Sequence, residues 1–371
     1  MIMNLKKTAI ALALSMPVLC VSTIPAQAAE ATERLQQAEQ RIRYLEQRVQ
    51  AQDEAIAEQG SVKGQWFDAI EVSGAVEVEA SYVDAEMADS ESDIAAATVE
   101  LAIAGDLNDT TSAEIVLLYE DGDSELDVDV AQFSYTLPNS ALTLTAGQLY
   151  VPFGTYETAL VSDPLTLELG ETRETVLSLG FDQGGWLSSF YIFNGDNSEG
   201  GDNSIDNWGA NIGYVNEVVA LGLAYINDIG DSDALQETLE SNEVVEYTAG
   251  VSVNASVSFG ASTIIAEYTA ASDAFAADVL GGAKPSATNL ELNHVLPIAG
   301  KEGVLAFAYQ TTDESLALEL PENRILLGLG VDINDHFSVA AELSRDEDYA
   351  VQDGGSGTTT NALVIQLAAG F

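Results

Sequence analysis

Cysteine and histidine are almost absent from this sequence of 371 residues. The one cysteine is Cys20, and the two histidines are His294 and His336. A structural zinc site draws its ligands mainly from these residue types, and a Ser-His-Asp set needs a well-placed histidine. The sequence therefore predicts no metal site, no cofactor and no enzyme activity.

Basic side chains are also scarce. Lysine and arginine together number 12 against 60 aspartates and glutamates, which gives a formal net charge of −48. Because phosphates are bound by lysine and arginine, nucleic acid is excluded as a partner. The carboxylates fit a role in attracting cations and fit equally well solubility in a salty habitat, so the sequence leaves both explanations open.

Long apolar runs are missing after residue 28, so the sequence predicts no transmembrane helix there. Residues 1–28 carry Lys6 and Lys7, then a short apolar stretch interrupted by Pro17, then Ala26-Gln27-Ala28. This is the pattern of a cleaved secretory signal peptide, although an N-terminal membrane helix is the alternative. We therefore expect the protein to be exported.

Residues 29–60 have a helical pattern. Branched apolar residues recur there at every seventh position, namely Leu35, Ile42, Val49 and Ile56. The repeat predicts a coiled-coil arm in the periplasm, and a lone amphipathic helix packed on the rest of its own chain is the alternative. Residues 61–65 form a linker. Such an arm is compatible with a homotrimer, and also with a tether that joins the protein to envelope partners.

From residue 66 onward the apolar period is two. In the segment IEVSGAVEVEASY, Ile70–Tyr82, one face of a strand is apolar and the other carries carboxylates. Seven short turns and eight longer loops join sixteen such segments, and the last one alternates up to Phe371. One of the short turns is predicted at Asn254–Ala255, after a strand that runs from Val245 to Val253. These features are typical of a bacterial outer-membrane barrel, whereas a soluble β-sandwich would hide the apolar face. We therefore predict an all-β fold for residues 66–371, a 16-stranded antiparallel transmembrane β-barrel in the lipid of the cell outer membrane.

The polar face of these strands should line a water-filled lumen. The alternation places eight glutamates on that face: Glu71, Glu77, Glu79, Glu100, Glu114, Glu246, Glu291 and Glu342. Asp127 and Asp129 fall on it only with a change of phase near Val130. Carboxylates in a hydrated lumen attract cations and repel anions at low salt.

The long loop 150–175 should narrow this lumen. Pro152 ends a strand and Gly154 permits a sharp turn, while the loop's leucines need shelter from water. We expect the loop to fold into the pore, and an external lid or a trimer contact is the alternative. Its candidate constriction residues are Tyr156, Glu157, Asp163, Glu168, Glu171, Arg173 and Glu174.

Arg173 is the only basic residue between Lys63 and Lys284. An arginine among carboxylates acts as their structural counterion, or its guanidinium group binds a ligand carboxylate in a bidentate manner. We prefer the counterion role.

The segment GQLYVPFGTYETALVSDPLTLELGETRET, which begins at Gly147, resembles the LbtU-type siderophore porins. The resemblance implies an outer-membrane barrel that admits iron-siderophore complexes. Energised siderophore receptors need about 22 strands, so uptake here should be passive or facilitated. An acidic lumen would repel polycarboxylate siderophores, so either the ligand is neutral or cationic, or the acidity faces elsewhere, or the family name overstates the activity. The alternatives are a general cation-preferring diffusion porin and an envelope tether acting through the arm.

Overall fold

The structure, a computed structural model, describes residues 69–122, 126–199, 204–239, 243–244, 246–277 and 279–371. The predicted signal peptide 1–28, arm 29–60 and linker 61–65 lie outside these residues.

Sixteen antiparallel strands close into one barrel within the residues described. Each strand pairs with its neighbours in chain order, and the last pairs with the first over Ala75–Ala85. The strands are β1 (Ile70–Ala85), β2 (Glu91–Asn108), β3 (Thr111–Glu120), β4 (Asp127–Thr136), β5 (Leu142–Tyr150), β6 (Arg173–Gln183), β7 (Trp186–Phe193), β8 (Asn207–Val215), β9 (Val219–Ile226), β10 (Gly250–Phe259), β11 (Ser262–Ala271), β12 (Ser286–Ile298), β13 (Lys301–Asp313), β14 (Asn323–Asn334), β15 (Phe337–Glu347) and β16 (Thr359–Gly370). The predicted barrel and its strand number are confirmed.

The apolar side chains point outward. Leu327 and Leu343, which pair across β14 and β15, expose 45% and 54% of their surface. Their chain neighbours Leu326 and Glu342 expose 0% and 2%. Because successive side chains of a strand point to opposite faces, the outer wall is an apolar surface for the bilayer. Closure leaves no edge unpaired in hydrocarbon among the sixteen described strands.

One predicted turn and one predicted lumen residue are wrong. The turn expected at Asn254–Ala255 lies instead at Gly260, whose φ of +62° suits a glycine, because β10 runs from Gly250 to Phe259. Glu246 was expected on a strand, but it precedes β10 and lies exposed in the loop before it.

A β-bulge in β4 explains the change of phase near Val130. Val116 of β3 pairs with Val130, whereas the next residue, Leu117, pairs with Val128. Asp129 is the extra residue between them, and its side chain is buried. Such a bulge re-aims a side chain, and the Asp129 carboxylate here contacts Tyr150 of β5 and Arg173 of β6.

The remaining regular elements are short. Helix α1 spans Leu165–Gly170 and helix α2 spans Asp233–Thr238. Single 3-10 turns occur at Ile229–Asp231, Leu280–Gly282, Leu316–Leu318 and Val351–Asp353, and Ser198–Glu199 pairs in parallel with Glu243–Val244. In the described part of the chain, no helix is long and apolar enough to span a bilayer.

Candidate functional site

The loop between β5 and β6 lies inside the barrel. We call residues 151–172 the inner loop. Its helix α1 contacts β11, β12 and β13, which lie across the closed sheet from β5. The loop therefore crosses the lumen to the far wall.

The start of the inner loop shows why it leaves the sheet. Pro152 has no N–H for the strand ladder, and Gly154 has a φ of +93°. Tyr156 also has a positive φ, of +50°. Its ring lies against Gly154, so a side chain at position 154 would clash with the ring. The tyrosine hydroxyl donates to the carbonyl of Phe153, which closes this tight bend.

Three buried glutamates of the far wall hold the inner loop. We call Glu267, Glu291 and Glu342 the carboxylate anchors; they come from β11, β12 and β15. The backbone N–H groups of Thr155 and Tyr156 donate to the two oxygens of Glu267, with N to O distances of 2.8 and 2.9 Å. Each oxygen of this carboxylate therefore receives its own donor.

The other two anchors bind the middle of the loop in the same way. Glu291 accepts from the backbone N–H of Ala159 at 2.8 Å and from the hydroxyl of Thr158 at 2.7 Å. Glu342 accepts from the backbone N–H of Val161 at 2.7 Å and from the hydroxyl of Ser162 at 2.5 Å. Hydrogen bonds to a charged acceptor are about twice as strong as neutral ones, so the anchors fix the path of the loop.

Apolar packing supplements the anchors. Leu160 is buried against Ala306, Ala308 and Leu326 of the far wall. Gly328 lies under the same leucine, because a Cβ atom added there would be 2.6 Å from Leu160 Cδ2. The small residues on β13 and β14 thus form the recess that holds the leucine.

This recess gives a matched test. We expect Gly328→Val to displace Leu160 and to cost about 1–3 kcal/mol of loop packing, as overpacking does. Gly330→Val, two residues along the same face of β14, should cost little, since no described residue lies within 4 Å of a Cβ atom at that position. Amide hydrogen exchange of Ala159 and Val161 measures the difference, and equal exchange in the two variants would contradict it.

Carboxylates lie on the wall that the inner loop leaves uncovered. Gln366 Nε2 donates to Glu79 Oε1 at 2.9 Å and to Glu77 Oε2 at 3.4 Å, and Gln132 Nε2 donates to Glu114 Oε2 at 3.1 Å. A cavity of about 450 Å³ opens there, lined by Glu79, Ser81, Asp93, Ala95, Ala97, Glu120 and Asp121. Glu100 lies on β2 and is buried, and Glu71 is exposed near the start of β1.

Arg173 pairs with the aspartates of β4. Its guanidinium nitrogens lie 2.8 Å from Asp127 Oδ2 and 3.4 Å from Asp129 Oδ1. Tyr150 also donates to Asp129 Oδ1, at 2.6 Å between the oxygens. With two carboxylates already bound, the guanidinium is placed as a structural counterion.

The other predicted constriction residues differ in their exposure to solvent. Asp163 is exposed at the loop's turn into α1, and Glu174 is buried on β6. Burial raises the pKa of Glu157 and of Glu168, and the charge of Arg324 partly offsets it for Glu168. In the described residues no group of three or more His, Cys, Asp or Glu side chains could hold a metal ion.

Sequence reasoning missed two residues that hold the loop. Glu267 is an anchor, and Gln310 Oε1 accepts from the backbone N–H of Leu165 at 3.3 Å. Glu267 sits in the same alternation as Thr263 and Thr269, facing inward opposite the exposed Tyr268. This alternation indicated that Glu267 faces inward, but it does not distinguish a residue that binds the inner loop from one that lines the open lumen.

Known proteins resemble this chain in fold more than in sequence. No protein-family model matches it. The anion-selective porin from Comamonas acidovorans aligns over 82% of this chain and 99% of its own, with a TM-score of 0.57 and 14% identity. OprB of Pseudomonas putida aligns over 82% of this chain and 95% of its own, with a TM-score of 0.58 and 9% identity. The fold is that of an outer-membrane porin.

The fold and the outward apolar wall place the protein in the outer membrane. Among sequence relatives, a UPF0422 protein of Legionella pneumophila (strain Paris) is 26% identical over 311 residues, 74% of this chain and 58% of the relative. One of Coxiella burnetii is 28% identical over 235 residues, 59% of this chain and 50% of the relative. The chain thus spans less than three fifths of the length of these relatives.

Proposed function

We propose that the protein is a passive channel whose passage runs between the inner loop and the acidic wall of β1–β4 and β16. The observation that carries this proposal is the inner loop, which is anchored across the barrel and leaves a cavity with a mainly polar lining on the opposite side. Porin-like neighbours support a diffusion channel. Among the described residues that line this passage, no group suggests covalent chemistry.

The passage should prefer cations. Carboxylates of β1 and β3, including Glu79 and Glu120, line the cavity, and Arg173 is neutralised by Asp127 and Asp129. Fixed charges of one sign between low-dielectric walls concentrate ions of the opposite sign. The Comamonas porin is anion-selective, whereas the carboxylates on the wall of this passage favour cations.

Neutral or cationic iron-siderophore complexes are the proposed specific cargo. The support is the resemblance of residues 147–175 to the LbtU-type porins, together with a lining that would repel polycarboxylate complexes. A general cation-preferring porin is the alternative. The homotrimer and the envelope tether depend on residues 29–60, outside the described part of the chain, and stay predictions.

The purified protein tests the channel directly. In planar bilayers it should form conducting channels with a reversal potential that indicates preference for potassium over chloride. Liposomes that contain the protein should also take up a cationic iron-siderophore faster than a polyanionic one of similar size. Protein-free liposomes are the control for leakage.

The outcomes separate the two pore functions. Uptake of a cationic siderophore well above that of an equally large cationic sugar supports a siderophore porin. Equal uptake of both supports a general porin, and bilayers without channels would refute the proposed function altogether.

A further inference from the structure

The apolar belt on the outer wall of the barrel differs in height from one side to the other. On β14 five outward-facing apolar residues run from Ile333, at the end with the short turns, to Ile325, and Asn323 is the first polar one. On β16 five run from Phe371 to Leu363. Residues on one face are about 6.8 Å apart along a strand, so each column is about 27 Å long.

The belt is lowest on β5 and β6, where three outward apolar residues precede the first polar one. They are Leu142, Leu144 and Ala146 on β5, and Phe181, Leu179 and Leu177 on β6. The polar residues that follow are Gln148 and Thr175, which pair with each other. Thr175 is exposed between the buried Glu174 and Val176, so the pair lies on the outer face. Each of these columns is about 14 Å long, half the length of the column on β14.

A bilayer of even thickness does not match both heights. In strands tilted by about 40°, the columns rise about 21 Å on β14 and about 10 Å on β5, whereas the apolar band of such barrels is about 25 Å tall. Gln148 and Thr175 occupy the fourth outward position from the short-turn end, which on β14 and β16 is held by Leu327 and Ile365. Lipid around the whole barrel would therefore place two polar side chains in hydrocarbon, where an unpaired polar group is costly.

The two polar side chains offer an acceptor and a donor to a neighbour. Gln148 Nε2 donates to the backbone carbonyls of Val128 and Asp129 at 2.5 and 3.3 Å, at the bulge of β4. Both bonds use the nitrogen, which leaves the side-chain oxygen to accept from another group. The exposed hydroxyl of Thr175 beside it can donate.

We propose that a second copy of this chain covers the wall of β5 and β6, with Gln148 and Thr175 at the centre of the contact. A second barrel brings a wall of the same low height, so neither copy turns these polar groups toward acyl chains, and association is one response to such a mismatch. The pair also holds both a donor and an acceptor, so the patch is self-complementary, as a symmetric contact between two copies requires.

The residues around the pair supply the apolar part of the contact. Leu177, Leu179 and Phe190 expose 46%, 45% and 50% of their surface on the same outer face. A polar centre inside an apolar surround matches a contact between proteins in a membrane, where hydrogen bonds between chains add to packing. This contact lies in the barrel and does not involve the predicted arm 29–60.

Cysteine chemistry on the full-length protein in lipid vesicles tests the proposal. Cys20 is the one native cysteine, so Thr175→Cys is made together with Cys20→Ser. Leu327→Cys, eight strands away on the opposite wall, is the matched control. A bifunctional thiol reagent should join the Thr175→Cys chains and leave the Leu327→Cys chains as monomers at the same low protein density.

A nitroxide label on the same two cysteines gives an independent readout. Oxygen concentrates among acyl chains and relaxes a label that it reaches. We expect relaxation by oxygen to be several-fold weaker for the label at position 175 than for the label at position 327, because protein covers the first and lipid the second.

Removing the polar pair should weaken the contact. The double variant Gln148→Leu, Thr175→Val continues the apolar belt upward and removes the donor and the acceptor. We expect the dissociation constant between copies in detergent to rise by on the order of tenfold. Thr288→Val, which changes an outward threonine on β12, is the control and should leave the constant unchanged.

Three results would overturn the proposal. Monomeric Thr175→Cys chains with full access of oxygen to position 175 would mean that lipid covers this wall. Equal crosslinking at positions 175 and 327 would mean random collision, and protection of position 175 in cells but not in vesicles of the purified protein would mean a different partner. A double variant with the wild-type dissociation constant would remove the polar pair from the centre of the contact. None of these measurements needs a conducting channel, so their outcome is independent of the proposed function.

Discussion

Replacing the three carboxylate anchors together, Glu267→Gln, Glu291→Gln and Glu342→Gln, should release the inner loop and raise single-channel conductance. Each glutamine places an amide N–H₂ near backbone N–H donors of the loop and removes a charged acceptor. A hydrogen bond to a charged group contributes about 1.5–3 kcal/mol, so the free energy of loop release should fall by on the order of 5 kcal/mol. Bilayer recording and hydrogen exchange of the Tyr156, Ala159 and Val161 amides measure the two effects.

The barrel should survive this change. Its strands are joined by a closed ladder of backbone bonds that the three substitutions do not touch. The matched control replaces three exposed carboxylates, Asp273→Asn, Glu347→Gln and Asp353→Asn, of which Glu347 shares β15 with Glu342. If the anchor variant keeps wild-type conductance and loop protection, or if the control changes both equally, the anchors do not position the loop.

The barrel was predictable because its strands repeat one simple pattern. Side chains alternate between lipid and lumen in every strand, so apolar residues recur at every second position, as at Leu363, Ile365 and Leu367. The alternation determines which face of a strand each residue occupies, but it indicates only weakly where the strand begins and ends. β10 was placed too early although the alternation continues through Ala255 and Val257, because Asn254 was taken as a turn residue, whereas the turn lies at Gly260, whose φ is positive.

The roles of the inward glutamates were not predictable from alternation. Glu79, Glu291 and Glu342 have the same pattern in the sequence, yet Glu79 lines the cavity and the other two bind the inner loop. The difference arises from which wall the loop crosses to, and that depends on contacts between residues more than 130 positions apart. Arg173 is the contrasting case, since its isolation among acidic residues already indicated the counterion role.

Neutralising the uncovered wall should remove the preference for cations. In the triple variant Glu77→Gln, Glu79→Gln and Glu114→Gln, we expect the permeability ratio of potassium to chloride to fall by on the order of tenfold at low salt. The amide side chains keep the size and hydrogen bonding of the originals, so conductance should change less than selectivity. Reversal potentials in a potassium chloride gradient give the ratio.

Salt concentration and the exposed-carboxylate triple variant are the controls for this prediction. Screening acts over about 10 Å at 0.1 M salt but about 3 Å at 1 M, so the loss of selectivity should shrink at high salt. The exposed triple variant removes the same charge from outside the passage and should keep the wild-type ratio.

The Comamonas porin has this fold and is named for anion selection, so the fold does not decide whether a channel prefers cations or anions. Chloride preference in the wild type would mean that Glu77, Glu79 and Glu114 do not face the permeating ions.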